Sequence, residues 1–160
     1  MGSKEFRHQS ASCRIHAGDS VLYKLASEVD RLQAKRVMAV CGQSVAHRTH
    51  LLTFVKEILG DKLVGAYDGV QSGSPSTTIF DGLSIARELD PDMIVAIGGG
   101  SSIVTARAIT ILLAEGGSLE DHSTKYPPGL PPVSPRLMKP KLPNIVIVTT
   151  PTTGLLAVVP

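Results

Sequence analysis

Three consecutive glycines followed by a serine, Gly98-Gly99-Gly100-Ser101, stand between the apolar run Met93-Ile94-Val95-Ala96-Ile97 and a helical pattern over 102–114. A bulky apolar run of that length reads as a buried strand, and the pattern beyond the glycines as a helix. Glycine lets the chain turn sharply at such a junction. It also leaves amide N–H groups uncovered at a helix N-terminus, where the macrodipole favours anions. The junction therefore reads as a phosphate cradle or as a tight strand-to-helix turn with no ligand.

Two common nucleotide signatures do not fit. No Lys-Ser or Lys-Thr follows the glycines, which excludes a loop that sets a lysine on terminal phosphates. Ile103 stands where the third glycine of G-x-G-x-x-G would be, and the loop follows a late strand rather than the first. A dinucleotide would be held here by another variant of the same physics.

The rest of the chain places that junction in a repeating order. A first strand is expected over 12–17, then a helix opened by Gly18-Asp19, capped by Asp19 or Ser20, that buries Val21, Leu22, Leu25, Val29 and Leu32. A strand over 36–41 precedes a helix over 44–59 that Gly60 stops, and a strand over 63–67 follows. Ser76 caps a helix carrying Ile79, Phe80, Leu83, Ile85, Ala86 and Leu89, which Asp90-Pro91 ends before the strand over 93–97. The last strand is expected over 144–148. Strands alternating with helices of this length imply an α/β fold, a parallel sheet with helices on both faces. Seven of the eleven prolines lie from Pro127 to Pro143, so that stretch leaves the sheet as a functional loop or as a tolerated insertion.

Composition removes several classes. The net charge of +2 comes from scattered Lys and Arg, tryptophan is absent and aromatics are 4% of residues, so nucleic acid is not an expected partner. No stretch approaches the roughly 20 apolar residues of a membrane span. Met1-Gly2-Ser3-Lys4-Glu5 lacks the apolar core of a signal peptide, and 1–11 reads as a leader or cloning remnant. Cys13 and Cys41 read as small buried hydrophobes in a reducing, cytoplasmic setting. His47 and His50, three apart, have no completing ligand and read as a polar helix face rather than a metal pair; His16 and His122 have no recognisable partner. The Ser/Thr cluster 72–78 reads as loop chemistry with a helix cap. Ser101 lacks the G-x-S-x-G elbow, and no catalytic nucleophile is assigned.

Asp92-Met93-Ile94-Val95-Ala96-Ile97-Gly98-Gly99-Gly100-Ser101, the upstream Tyr67-Asp68-Gly69-Val70, and the downstream run Pro143 to Thr153 resemble, in order and spacing, the iron-containing (metal-dependent, group III) alcohol dehydrogenase family. The resemblance covers the chain from about Cys13. It implies a Rossmann-like NAD(P)-binding domain over 12–160, the N-terminal part of an oxidoreductase acting on an alcohol or carbonyl substrate. In whole members a helical domain carries an aspartate and histidines that hold Fe²⁺ or Zn²⁺. That domain is absent from this chain, so turnover is not expected from it alone. By matching position, Gly98, Gly99, Gly100 and Ser101 would hold the pyrophosphate of NAD or NADP. Thr149, Thr150 and Thr153 would line phosphate and ribose, and Gly42 belongs to the same cofactor-binding set. A dehydroquinate synthase-like lyase fragment and a non-catalytic nucleotide-binding module are the alternatives.

Three departures from the family pattern carry expectations. Val104 and Arg107 replace an aspartate and a lysine, and Arg107 reads as a surface residue rather than a phosphate contact. Cys41-Gly42-Gln43-Ser44 places no acid at the end of its strand; with Arg48 or His47 within reach, NADP(H) is expected to be tolerated or preferred. The apolar ending Gly154 to Pro160 departs from the small and acidic residues usual there, and self-association is expected, with Leu155 to Val159 contributing.

Overall fold

The computed structural model describes residues 13–152. Four parallel strands, β1 (Val37–Cys41), β2 (Leu63–Tyr67), β3 (Met93–Gly98) and β4 (Asn144–Val148), lie in the order β2-β1-β3-β4. Every residue of β1 and β3 is buried, which explains their unbroken aliphatic composition: a strand covered on both faces has no polar side. The pleat sorts them by parity. Val37, Ala39, Cys41, Met93, Val95 and Ile97 pack against α1 (Lys24–Arg31) and α3 (Leu51–Leu59) through Leu25, Val29, Leu52, Val55 and Leu59. Met38, Val40, Ile94 and Ala96 face α4 (Ser76–Leu89) and α5 (Gly100–Glu115), meeting Ile79, Leu83, Ile109 and Leu112.

The α/β class and the positions of β1 to β4 agree with the sequence reading; five local expectations do not. Residues 13–17 form no strand and are exposed, with Ile15 84% accessible. Instead Arg14 and His16 reach Glu28 on α1, each at 3.1 Å, which tethers the segment to a helix. Cys13 is accordingly exposed, and only Cys41 is buried. The helix expected over 44–59 is two, α2 (Gln43–Arg48) and α3, because Thr49 is extended (φ −133°). Its hydroxyl donates to the Val45 carbonyl at 2.8 Å and accepts the Leu51 N–H at 3.2 Å, a local pairing that competes with the helical ladder. Ser20 and Ser76 make no capping bond: a 3₁₀ turn, Val21–Tyr23, precedes α1, and Ser76 is the first residue of α4, behind Pro75. Val21 and Leu22 are only half-buried, and Phe80 is 44% exposed.

A polar clamp ties the two central strands. The Asp92 carboxylate accepts the N–H groups of Lys35 at 2.8 Å and Arg36 at 2.9 Å, while the Arg36 guanidinium donates to the Asp90 and Leu89 carbonyls at the end of α4. Both strands thus leave their N-terminal edge in register, and their C-terminal ends, Cys41 and Ile97, pair directly. Between α5 and β4 the proline-rich excursion has no helix or strand of its own beyond an isolated bridge, Lys125 to Val133. The Glu115 carboxylate accepts the Lys139 N–H at 3.0 Å and pairs with the Lys141 ammonium, which fixes the return of the chain to β4. The leader 1–11, Thr153 and the tail 154–160 lie outside the described residues.

Candidate functional site

From β1 the chain crosses outward to β2, and from β3 it crosses to β4 on the other side, so the loops after β1 and β3 part at the middle of the sheet. Open parallel sheets form ligand crevices at such a divergence. Here the glycine turn fills it. Gly98 has φ +145°, and a Cβ built there would stand 2.4 Å from the Ser102 Oγ and 3.0 Å from its Cβ. A Cβ on Gly99 would stand 2.5 Å from the Thr150 Oγ1, and one on Gly100 would stand 3.0 Å from the Thr152 Oγ1. Three hydroxyl side chains therefore crowd three successive backbone positions, leaving room only for glycine at the first.

The Ile103 N–H donates to the Gly99 carbonyl at 3.2 Å, opening the ladder of α5. Gly100, Ser101 and Ser102 precede it, so their N–H groups have no intrahelical partner and gather at the positive end of a 16-residue helix. The Thr149 N–H donates to the Gly98 carbonyl at 3.1 Å, which carries the β3–β4 pairing past the strand ends and brings Thr149 and Thr150 beside the glycines. On the opposite side, the Val70 N–H donates to the Cys41 carbonyl at 3.2 Å, and a Cβ on Gly42 would stand 3.1 Å from the Val70 carbonyl oxygen. A third strap comes from the β2–α4 loop, where the Gly73 N–H donates to the Ser101 Oγ at 3.1 Å and the Ser74 hydroxyl donates to the Ser101 carbonyl at 3.0 Å.

These loops enclose a cleft of about 820 Å³ whose lining includes Gly42, Gly98, Gly99, Gly100, Ser101, Thr149 and Thr150. Every candidate cofactor-binding residue in the described part of the chain thus borders one space; Thr153 lies outside the described residues. The lining also includes Ser102 and Asp81, which the sequence reading did not single out, together with Gln43 and Ser72. Thr152, beside Gly100, was missed as well. The serines of 72–74 were visible as turn chemistry and, through the family resemblance, as a region near the adenine side of the cleft; nothing local announced the bond from Ser74 to Ser101, twenty-seven residues on.

Electrostatically the cleft is unusual for an anion site. Among the described residues its lining holds one carboxylate, Asp81, and no lysine or arginine, so attraction for an anion rests there on oriented neutral donors and the helix end. The Tyr67 hydroxyl donates to the Thr78 carbonyl at 2.7 Å; burial, and then the Asp81 charge, push its pKa up and keep it protonated. Burial pushes the Cys41 thiol up to about 11, with Asp68 adding to the effect.

Other candidates fall elsewhere. His47 borders a separate groove at the β2 edge with Leu52, Lys56 and Leu63, and its imidazole pairs with the Asp68 carboxylate at 2.8 Å. Neither His47 nor Arg48 is among the residues that line the main cleft. Val104 is 48% exposed on α5. Arg107 is half-buried rather than on the open surface, and burial lowers its pKa. Among the described residues, no group of three or more His, Cys, Asp or Glu could hold a metal ion.

Parallel order β2-β1-β3-β4, helices on both faces and a glycine-turned crevice at the divergence define a Rossmann-like α/β domain. The model of the iron-containing alcohol dehydrogenase family matches residues 12–157, and the chain belongs to that family. It is 32% identical over 98 residues to maleylacetate reductase 2 of Cupriavidus pinatubonensis, covering 61% of this chain and 26% of that protein. It is 30% identical over 139 residues to the NAD-dependent methanol dehydrogenase of Bacillus methanolicus, covering 86% and 34%. Among solved structures, an archaeal halo-thermophilic alcohol dehydrogenase from a Red Sea brine pool superposes with a TM-score of 0.77 at 24% identity, over 90% of this chain and 36% of that one. The chain thus spans only a fraction of the length of each of these relatives.

Proposed function

We propose that this chain is the dinucleotide-binding part of a metal-dependent oxidoreductase that interconverts an alcohol and a carbonyl compound. The observation that carries the reading is the glycine turn itself, where hydroxyls of Ser102, Thr150 and Thr152 stand 2.4, 2.5 and 3.0 Å from the Cβ positions of Gly98, Gly99 and Gly100 at the head of α5. Gly98 admits only bare backbone, and uncovered N–H groups at a helix end suit a diphosphate. In this reading Gly98, Gly99, Gly100 and Ser101 hold the diphosphate of NAD or NADP. Thr149 and Thr150 face it from the β4 loop, with Thr153 joining them by family resemblance, and Gly42 gives the adenosine side its close approach.

The nicotinamide, when bound, supplies the hydride chemistry. This chain's residues bind and orient: neutral donors meet the diphosphate, and the buried β1 and β3 ends hold them rigid. A ligand set for Fe²⁺ or Zn²⁺ belongs, in this reading, to a helical part beyond this chain, and the chain alone does not turn over. Maleylacetate reductase and alcohol dehydrogenases among the relatives support a small alcohol or carbonyl substrate for the whole enzyme. A reducing, cytoplasmic setting completes the reading.

No acid stands at the end of β1, where Gly42, Gln43 and Ser44 border the cleft, so a 2′-phosphate meets no carboxylate from that strand. NADP(H) is therefore accepted beside NAD(H). Titrating the 160-residue chain with NADH and with NADPH, followed by nicotinamide fluorescence, should give saturable binding of both. Binding of neither removes the reading; strong selection of NADH removes only the statement on NADP(H).

A further inference from the structure

The corner at residues 71–74 crosses the cleft to the head of α5. The Ser74 N–H donates to the Gln71 carbonyl at 3.1 Å, and Gly73, third in that turn, has the φ of +77° that a type II turn demands. Ser74 itself has φ +50°, a left-handed conformation that a non-glycine residue holds only when its surroundings impose it. What imposes it is on the far side. The Ser74 hydroxyl donates to the Ser101 carbonyl at 3.0 Å, and the neighbouring Gly73 N–H donates to the Ser101 Oγ at 3.1 Å. Two bonds from one corner end on one residue.

A serine hydroxyl carries one proton and two acceptor lone pairs. With the Gly73 N–H on an acceptor site of Ser101, the proton of that hydroxyl is free to be given to something else, and the Ser74 bond fixes the backbone from which it swings. We propose that Ser74 is a positioning residue: together with Gly73 it holds Ser101 so that its hydroxyl donates to an oxygen of a bound diphosphate. The proposal rests on the dinucleotide reading above. Among the described residues no lysine or arginine lines the cleft, so the orientation of each neutral donor matters more, with no full positive charge among them to compensate a misdirected one.

The test compares ADP-ribose, which carries the diphosphate, with adenosine, which does not, by NMR chemical-shift titration of the 160-residue chain. Ser74→Ala should weaken ADP-ribose binding about five- to tenfold, the range for one lost positioning hydrogen bond, and leave adenosine within about twofold. Ser74→Gly removes the same hydroxyl while relieving the left-handed backbone, so the measurement stands even if Ser74→Ala does not fold. Ser74→Asn, which tolerates that backbone and keeps a donor, should restore binding. On a Ser101→Ala background the loss caused by Ser74→Gly should disappear, because no hydroxyl is left to aim. Unchanged ADP-ribose binding in both Ser74→Ala and Ser74→Gly, an equal loss for adenosine, or the full loss persisting on the Ser101→Ala background overturns the positioning role while leaving the dinucleotide reading intact. A wild-type chain that binds no ADP-ribose overturns that reading first, and the positioning role with it.

Discussion

Replacing Gly98 by alanine isolates the demand that the glycine turn makes on the fold. Two separate effects add. At φ +145° the backbone lies in a region that side chains rarely occupy, worth about 1–3 kcal/mol for a non-glycine residue. The new methyl would also stand 2.4 Å from the Ser102 Oγ and 3.0 Å from its Cβ, and Ser102 is only 5% exposed, so it has little space to retreat. Overpacking of that kind is worth about 1–3 kcal/mol. The expected loss is therefore about 2–6 kcal/mol, against a total of about 5–15 kcal/mol for an ordinary domain. The chain has no tryptophan, so urea unfolding is best followed by far-UV circular dichroism. Adding Ser102→Ala removes the nearer contact and leaves the backbone effect, so the double variant should recover part of the loss and not all of it. A Gly98→Ala loss below about 0.5 kcal/mol, the scatter of ordinary surface substitutions, or a double variant no better than additive, would refute the geometry.

Three further outcomes follow from the same structure. At pH 7.5 a thiol reagent should label Cys13 quickly and Cys41 only after denaturation, since Cys13 is exposed while Cys41 is buried with its pKa pushed up to about 11; two fast thiols in the native state would contradict this. The Lys141 bond, followed by the Lys139 N–H, holds the Glu115 carboxyl below its usual range. A lowered folded pKa means that its stabilisation is complete above the ordinary value of about 4.3 and fades as pH falls through the lower folded value. Glu115→Gln should flatten that part of the acid-stability curve, with a carboxyl chemical-shift titration checking the direction. Finally, Tyr126, Leu130, Val133 and Met138 are each more than half exposed on the proline-rich excursion, so light scattering should show mass rising with concentration, and a constant monomer mass would count against self-association.

How much of this was legible beforehand depended on whether the signal was local. The β3 run Met93 to Ile97, followed by three glycines and a helical period, announced a buried strand, a turn and a helix within one stretch, because burial on both faces demands continuous aliphatic residues and a sharp turn demands glycine. Strands β1, β2 and β4 were legible for the same reason. The segment 13–17 has strand-like composition but pairs with no strand among the described residues, and Glu28 on α1 takes its polar groups instead; pairing is a property of the sheet, not of five residues. The break at Thr49 turned on one hydroxyl choosing a local partner.

The site divided in the same way. The residue types that suit a diphosphate were written in the chain at Gly98 to Ser101, at Thr149 and Thr150, and at Gly42, and the family pattern linked them. Their convergence on one cleft, the bonds from Gly73 and Ser74 to Ser101, the place of His47 in a separate groove, and a lining without lysine or arginine among the described residues were decided only by the strand order and the loops it brought together. Sequence by itself determined what each segment can be, because backbone freedom and side-chain polarity are local. Tertiary structure decided which segments meet, because hydrogen bonds and burial between residues far apart in the chain exist only once the sheet has set them side by side.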